Sequence, residues 1–392
     1  MDRSDFSFLV ARLERQAAAS PGSYAFRVAL LAALGYLALF VIAALILACV
    51  WLSWHELVTG GAFSIKLAIL ALVGAITLVG LVRALWVDLG EPDSLRITRD
   101  EAPKLFETLE ELRAKMGGVR LHAVYITNEF NASIMQVPRW GVFGNYRNHL
   151  EIGLPLAAAL STEELKAVLA HEMGHLSGSH GKFSAWIYRQ RVTWHALSSK
   201  FEDPSNFFEQ MLCAFYAWYA PYFYAYTFVL ARSQEYEADR AAAAATSPGA
   251  VAASLTKTEL IHRFLGEVFW KRLFDQVGRS PEPPYLPYAN MARAIQIAEK
   301  EWARKDWLQE GLRNVSDDDD THPSLSERLA ALEVEPTLPT HRPEKSALRL
   351  FEPVVLGVVR QFDDRWRRET VKEWRARHAE LNQNQEPARR AS

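Results

Sequence analysis

Two histidines stand four residues apart in the run His171-Glu172-Met173-Gly174-His175. On an α-helix that spacing puts both imidazoles on one face, one turn above the other, where they can meet a single cation. Glu172 lies beside them, close enough to take a proton from a water next to that cation. A catalytic zinc takes three protein ligands and leaves one position open, so a third ligand must come from elsewhere in the chain. Downstream, Glu235-Tyr236-Glu237-Ala238-Asp239 offers candidates. Glu235 and Asp239 are again four apart. The spacing assigns Glu235 to the metal and Asp239 to a histidine ring, that of His171, whose tautomer and orientation it would fix. Glu237, which points to a different face from Asp239, is the alternative ligand. The expected cofactor is one catalytic zinc ion held by His171, His175 and Glu235, with Glu172 as the base. His180 and His195 lie off the ligand face and read as ordinary surface or core histidines.

These groups need rigid elements. Ser161 followed by Glu164 is a capping box, which starts the helix that carries the two histidines. Residues 235–265, 289–305 and 324–332 have helical patterns, and Thr98–Lys115 reads as an amphipathic helix. Leu121–Thr127 and His149–Gly153 are strand candidates. The pattern predicts a mainly α protein with a small β-sheet (α+β). Asp317–Asp320 is read as a solvated acidic loop, since adjacent carboxylates lack the alternating spacing of a calcium loop.

The N-terminal region reads as an anchor. Val28–Leu52 carries no charge over 25 positions, enough to cross a hydrocarbon layer of roughly 30 Å. A second apolar segment, 62–87, has an uncharged heart from Leu67 to Val82, flanked by Lys66 and Arg83. Together they predict a transmembrane helical hairpin. Arg3, Arg12, Arg15 and Arg27 precede it, Arg83, Arg96, Arg99 and Lys104 follow it, and its connecting loop has neither Lys nor Arg. Both ends are therefore expected in the cytoplasm, and the catalytic region with them. A third apolar stretch, Met211–Leu230, lies between the two parts of the metal site. A single crossing there would put a bilayer between them, so it is expected to be a buried or interface-lying helix bent near Pro221, with a re-entrant or paired arrangement as the alternative.

The 392 residues are 49% hydrophobic with a net charge of -2, which allows a large core and gives no global signal for nucleic acid. Cys49 and Cys213 both lie in apolar stretches, which argues against a disulfide framework and a thiolate zinc site.

HEMGH with a later EYEAD resembles the HtpX-like and CAAX-prenyl-protease-like membrane zinc metallopeptidases, the gluzincins. The two-span hairpin, Asn131-Ala132, Arg232 and the run His322-Pro323 with Arg328 also match that family's pattern. The resemblance implies a zincin-type metalloprotease domain behind the hairpin. It implies an endopeptidase acting on unfolded or membrane-associated polypeptides. The organisation expected is an anchor over residues 1–88, a peptidase domain over 89–335, and a linker with a basic helical tail over 336–392. Asn131 and Ala132 would belong to an edge strand that pairs with extended substrate. His322 is the candidate donor to the tetrahedral oxyanion. The implied setting is a bacterial inner membrane with the catalytic part facing the cytoplasm. Polypeptide and lipid bilayer are the expected partners, nucleic acid is not, and Ala231 stands where the family commonly has serine. An intramembrane protease fits less well, because Glu163, Glu164 and Lys166 open the HEMGH helix. A deformylase-like enzyme would need a cysteine ligand. A zinc-binding scaffold or chaperone-like protein without turnover is the alternative of a different class, and the intact Glu172 argues against it.

Overall fold

The structure, a computed structural model, describes residues 2–59, 65–85, 94–117, 120–138, 146–176, 206–314, 321–338 and 346–390, and between 176 and 206 only positions 183, 186–188, 190–191 and 193–194. His180, His195, Asp317–Asp320 and most of the expected linker lie outside these residues.

An amphipathic helix, α1 (Arg3–Ala19), turns at Ser20 into α2 (Pro21–Thr59), and α3 (Ile65–Leu85) returns alongside it. Among the described residues α2 is the helix long and apolar enough to cross a membrane. Its outward face carries Phe26, Leu30, Leu37, Phe40, Leu47 and Trp51, all exposed. Strand β1 (Leu95–Ile97), helix α4 (Pro103–Lys115) and strands β2 (Ala123–Thr127), β3 (Ala132–Pro138) and β4 (Tyr146–Gly153) follow. Helix α4 starts later than its apolar spacing predicts, because Pro103 favours the first helical position and the residues before it form a turn.

The sheet order is β1-β2-β4-β3. Strands β1 and β2 pair antiparallel, β2 and β4 parallel in the register Val124↔Leu150, and β4 and β3 antiparallel in the register Ile152↔Ala132. Strand β3 is thus an edge. Val124, Ile126, Leu150 and Ile152 alternate along their strands, are fully buried, and cover the core with Leu105, Leu109 and Leu112 of α4.

A short helix, α5 (Leu154–Ala159), leads to α6 (Thr162–Gly174), which carries the two histidines. The expected capping box is present: Ser161 Oγ accepts from Glu164 N, and Ser161 N donates to the Glu164 carboxylate at 2.7 Å. That carboxylate also holds the buried Lys257 ammonium at 2.7 Å, which ties the start of α6 to α8 (Pro248–Phe264). Helix α8 runs on through a π-helical stretch, Leu265–Trp270, and a last turn, Lys271–Phe274. Helices α9 (Pro287–Lys305), α10 (Trp307–Arg313) and α11 (Leu325–Ala331) complete this half. A 3-10 turn, Ala347–Phe351, and α12 (Val355–Arg390) close the chain. Ala347, Phe351 and Phe362 sit in the same core as the sheet, and Asp363 of α12 accepts from the backbone N–H groups of Tyr288 and Ala289 at the start of α9.

Between α6 and α8 runs α7 (Phe207–Ala245), 39 residues that continue through Pro221. Three contacts show that its first part runs antiparallel to α2. Phe208 packs beside Ile46 and Gly74, the Tyr219 hydroxyl donates to Leu31 O at 3.0 Å, and the Tyr24 hydroxyl donates to Tyr226 O at 2.8 Å. Gly35 permits the tightest of these approaches, since a Cβ there would lie 2.7 Å from the Tyr219 hydroxyl. Phe208, Leu212, Tyr219 and Phe223 are buried in a cluster shared with α1, α2, Ile187 and Trp194, while Trp218 and Tyr222 are exposed. The apolar stretch does not separate the two parts of the site. Helix α7 starts beside the distal part of α2 and runs back toward α6.

Candidate metal centre

Helices α6 and α7 cross at Gly174. A Cβ on that residue would come within 3.0 Å of Ala238 Cα, so the two backbones approach as closely as they do because neither position carries bulk. Glycine-to-alanine here would push the helices apart by a few tenths of an ångström. The short side chains at the crossing let the longer ones on either side converge.

The histidine pair and Glu235 do converge. One donor atom from each of His171, His175 and Glu235 falls within 4.8 Å of the others. The two Nε2 atoms are 3.2 Å apart, and each lies 3.4 Å from a Glu235 carboxylate oxygen. Donors set tetrahedrally around zinc at roughly 2.0–2.1 Å are roughly 3.3–3.4 Å from one another. Each histidine meets a different oxygen of the carboxylate, so Glu235 faces both rings at distances compatible with one shared ion of that size. The donor chemistry agrees: two imidazoles and a carboxylate suit zinc and its neighbours, whereas calcium and magnesium take oxygen donors. Glu235 Oε2 is buried with no hydrogen-bond partner, the orphan acceptor that a cation would satisfy. Glu237 is not part of this group.

Behind the site a second set of charges holds the rings. Asp239, 1% exposed, accepts from His171 Nδ1 at 2.9 Å. That contact leaves Nε2 as the lone-pair side facing His175. Arg328 grips the same carboxylate in a fork, Nε to Oδ2 at 2.8 Å and Nη2 to Oδ1 at 2.6 Å. Burial raises the Asp239 carboxyl, but Arg328 and His171 outweigh it and hold it at about 2. Burial also opposes ionisation of Glu235, and the adjoining His171 imidazole, 3.4 Å away, overcomes it, again to about 2. His171 resists charging through burial, yet Asp239 and Glu235 hold it up at about 9 in the metal-free protein. His175 is pushed down to about 4 by burial and the neighbouring His171 charge. Such opposed neighbours mark a site arranged for chemistry rather than for packing.

Glu172 lies between this group and the edge strand. Burial pushes its carboxyl up to about 7 against the pull of His171, and the Ile134 backbone N–H of β3 bonds to it. A cleft of about 540 Å³ opens here, lined among others by Asn131, Ala132, Glu172, Leu255 and His322. Asn131 itself is tied down by its carbonyl, which accepts from Gly153 N at 2.8 Å. His322 is largely exposed, with Nε2 3.8 Å from Glu235 Oε1. Asn131, Ala132, His171, Glu172, Asp239, His322 and Arg328 thus border one cleft, and His175 and Glu235 stand against His171. Sequence spacing did not single out Gly174, although glycine one position before the second histidine was the available signal. It also gave Arg328 no role, although Ser324-x-x-Glu327 marks the start of its helix.

A helix with paired histidines, a later helix with a carboxylate, and an edge strand across the cleft define a zincin-type metallopeptidase domain. Residues 144–335 match Peptidase family M48, so this part of the chain carries a domain of that family, in keeping with the HtpX-like pattern of its motifs. It is similar to "Protease HtpX homolog 1" of Sulfurisphaera tokodaii, 32% identical over 90 residues. That stretch is 22% of this chain and 27% of the relative, so the chain matches about a quarter of the relative's length. No solved structure matches.

Proposed function

We propose that the chain is a membrane-anchored zinc endopeptidase that hydrolyses extended polypeptide segments. The observation that carries this reading is the convergence of His171, His175 and Glu235 within 4.8 Å, with Glu172 beside them in a cleft walled by a sheet edge. His171, His175 and Glu235 would hold the ion. Bound there, zinc supplies a Lewis acid that polarises the scissile carbonyl and makes water acidic enough to attack near neutral pH. Glu172 accepts the water proton at its carboxylate and returns it to the leaving nitrogen. Asp239 keeps the His171 ring turned so that Nε2 faces the ion, and Arg328 keeps Asp239 charged. His322, at the open mouth of the cleft, donates to the developing oxyanion. Substrate lies extended along β3 from Asn131 and Ala132, using the backbone groups that the edge strand leaves unpaired. Folded domains offer no such free strand, so unfolded or membrane-associated chains are the favoured substrates.

Residues 1–88 serve as the anchor in this reading, 89–335 as the peptidase and 336–392 as a helical closing segment. Arginines on both sides of the hairpin support a cytoplasmic position for the catalytic part, and the bacterial inner membrane is the setting this reading assigns. The test is casein cleavage by purified full-length protein, with and without a chelator, beside the variant Glu172→Gln. Wild type should cleave, chelator should stop it, and zinc should restore it. Glu172→Gln should bind one zinc ion and cleave at least about a thousandfold more slowly. Full proteolysis by Glu172→Gln would refute the base assignment.

A further inference from the structure

Helix α1 is more than a leader to α2. It lies along α7 with Val10, Leu13 and Ala17 buried, in one cluster with Phe228, Val229 and Leu230. From that face Glu14 reaches Arg232, with Oε1 3.2 Å from Nη1. Arg232 is itself nearly buried, and its other nitrogen, Nη2, donates to Glu327 Oε2 at 2.9 Å. Glu327 in turn accepts from Ser324 N at 2.9 Å and Ser324 Oγ at 3.1 Å, which closes the capping box of α11. The next residue is Arg328, whose fork holds Asp239 behind His171. Helix α11 has only seven residues, too few to hold its own shape in water. It is fastened to α7 at two points, Arg232 and Asp239, and His322-Pro323 enters the cleft immediately before it.

An exposed ion pair contributes little; here both carboxylate side chains are partly exposed, at 41% and 42%, but the single guanidinium they share is nearly buried and holds the two elements together. Without Glu14, Arg232 keeps Glu327, the Tyr236 hydroxyl and the Phe228 ring but loses the carboxylate that fixes Nη1, and the group can turn away from Glu327. We propose that Glu14 is a positioning residue, through which α1 braces Arg232, fixes α11 and sets His322 over the cleft. The N-terminal helix thereby couples the anchor to the geometry of the site. The kinetic part of this inference rests on the peptidase reading, while the brace itself is a matter of local stability.

The experiment uses the full-length protein in detergent micelles with the variant Glu14→Gln, which keeps the shape and removes the charge. Hydrogen exchange followed by mass spectrometry should show the amides of residues 321–332 exchanging about tenfold faster than in wild type, with α6 unchanged. Casein cleavage should show kcat lower by about 3–10-fold, with KM and bound zinc unchanged. In an Arg232→Lys background, where a single ammonium cannot serve both carboxylates, adding Glu14→Gln should change neither readout further. Unchanged exchange over 321–332 overturns the brace whatever the activity. A fall in kcat matched by an equal fall in bound zinc also overturns it. If wild type itself cleaves nothing, the peptidase reading fails, and the exchange measurement alone decides the brace.

Discussion

The two halves of α7 hold their neighbours by different physics. From Phe207 to Leu230 the helix is aromatic, and its rings form a ladder: Phe215 stacks on Tyr219 at 5.1 Å and Tyr219 on Phe223 at 5.2 Å. The hydroxyls of this region bond to one another or to backbone carbonyls, as Tyr216 does with Tyr224 and Tyr219 with Leu31. From Ala231 to Ala245 the helix is alanine-rich around Arg232, Glu235 and Asp239, and each of these has charged or imidazole partners on another element. Contacts in the aromatic half are numerous and individually weak, so their losses should be graded and local. Contacts in the charged half are few and shared. Asp239 serves both His171 and Arg328, so removing one partner leaves a buried charge exposed to the full cost of desolvation. Stability and metal chemistry should therefore be separable along a single helix.

The sharpest contrast comes from one truncation in each half. Glu235→Ala should abolish stoichiometric zinc binding and all cleavage. Phe223→Ala should lower stability by about 3–5 kcal/mol yet leave one zinc ion per folded chain. Metal analysis and thermal melts on the two variants decide the matter, and loss of zinc in both would erase the distinction. Next in size is Arg328→Met. It strands Asp239, so it should lower stability by about 3–5 kcal/mol and weaken zinc binding by about 10–100-fold, read by melting and by competition with a chelating dye.

A pH series gives a smaller effect of definite sign. Asp239 and Glu235 sit at about 2 in the folded, metal-free protein, below their ordinary 3.8 and 4.5. Their contribution is complete above the ordinary values and lost as pH falls through about 2. His171 sits at about 9, above its ordinary 6.5, so its contribution is complete below 6.5 and lost as pH rises through about 9. Chelated protein should melt highest between about pH 4.5 and 6.5. Zinc keeps His171 deprotonated, so the loaded protein should show no decline from 6.5 to 9 that this group causes. Phe223→Ala should lower the whole curve without changing its shape. The smallest expected effect is that of Tyr219→Phe, which removes one hydroxyl contact. It should cost about 1 kcal/mol and leave zinc content and kcat as they are.

Much of the site was legible because local rules suffice for it. Four-residue spacing gave His171 with His175 and Glu235 with Asp239, and Ser161 with Glu164 gave the start of the helix. The rest depended on contacts that local patterns do not encode. Strand β1 has three residues, too few to show alternation, and β3 reads as a strand only once β4 pairs with it. The unity of α7 was hidden by Pro221 and by the change from aromatic to charged composition halfway along. Nothing near residue 14 announces Arg232, more than two hundred positions away. The role of Gly174 appears only when a second helix is laid across it.

The clasp between the chain's last third and the start of α6 has a consequence for synthesis. Ala347 N donates to Leu160 O at 2.9 Å, and Ser346 bridges to Ser161, the residue that opens the histidine helix. A ribosome adding about 5–20 residues each second reaches this segment several seconds to a few tens of seconds after Glu235. Throughout that interval every metal donor has been made, but the turn that secures their scaffold has not. The nascent polypeptide thus has its long apolar helix α2 complete well before the metal-donor scaffold can close.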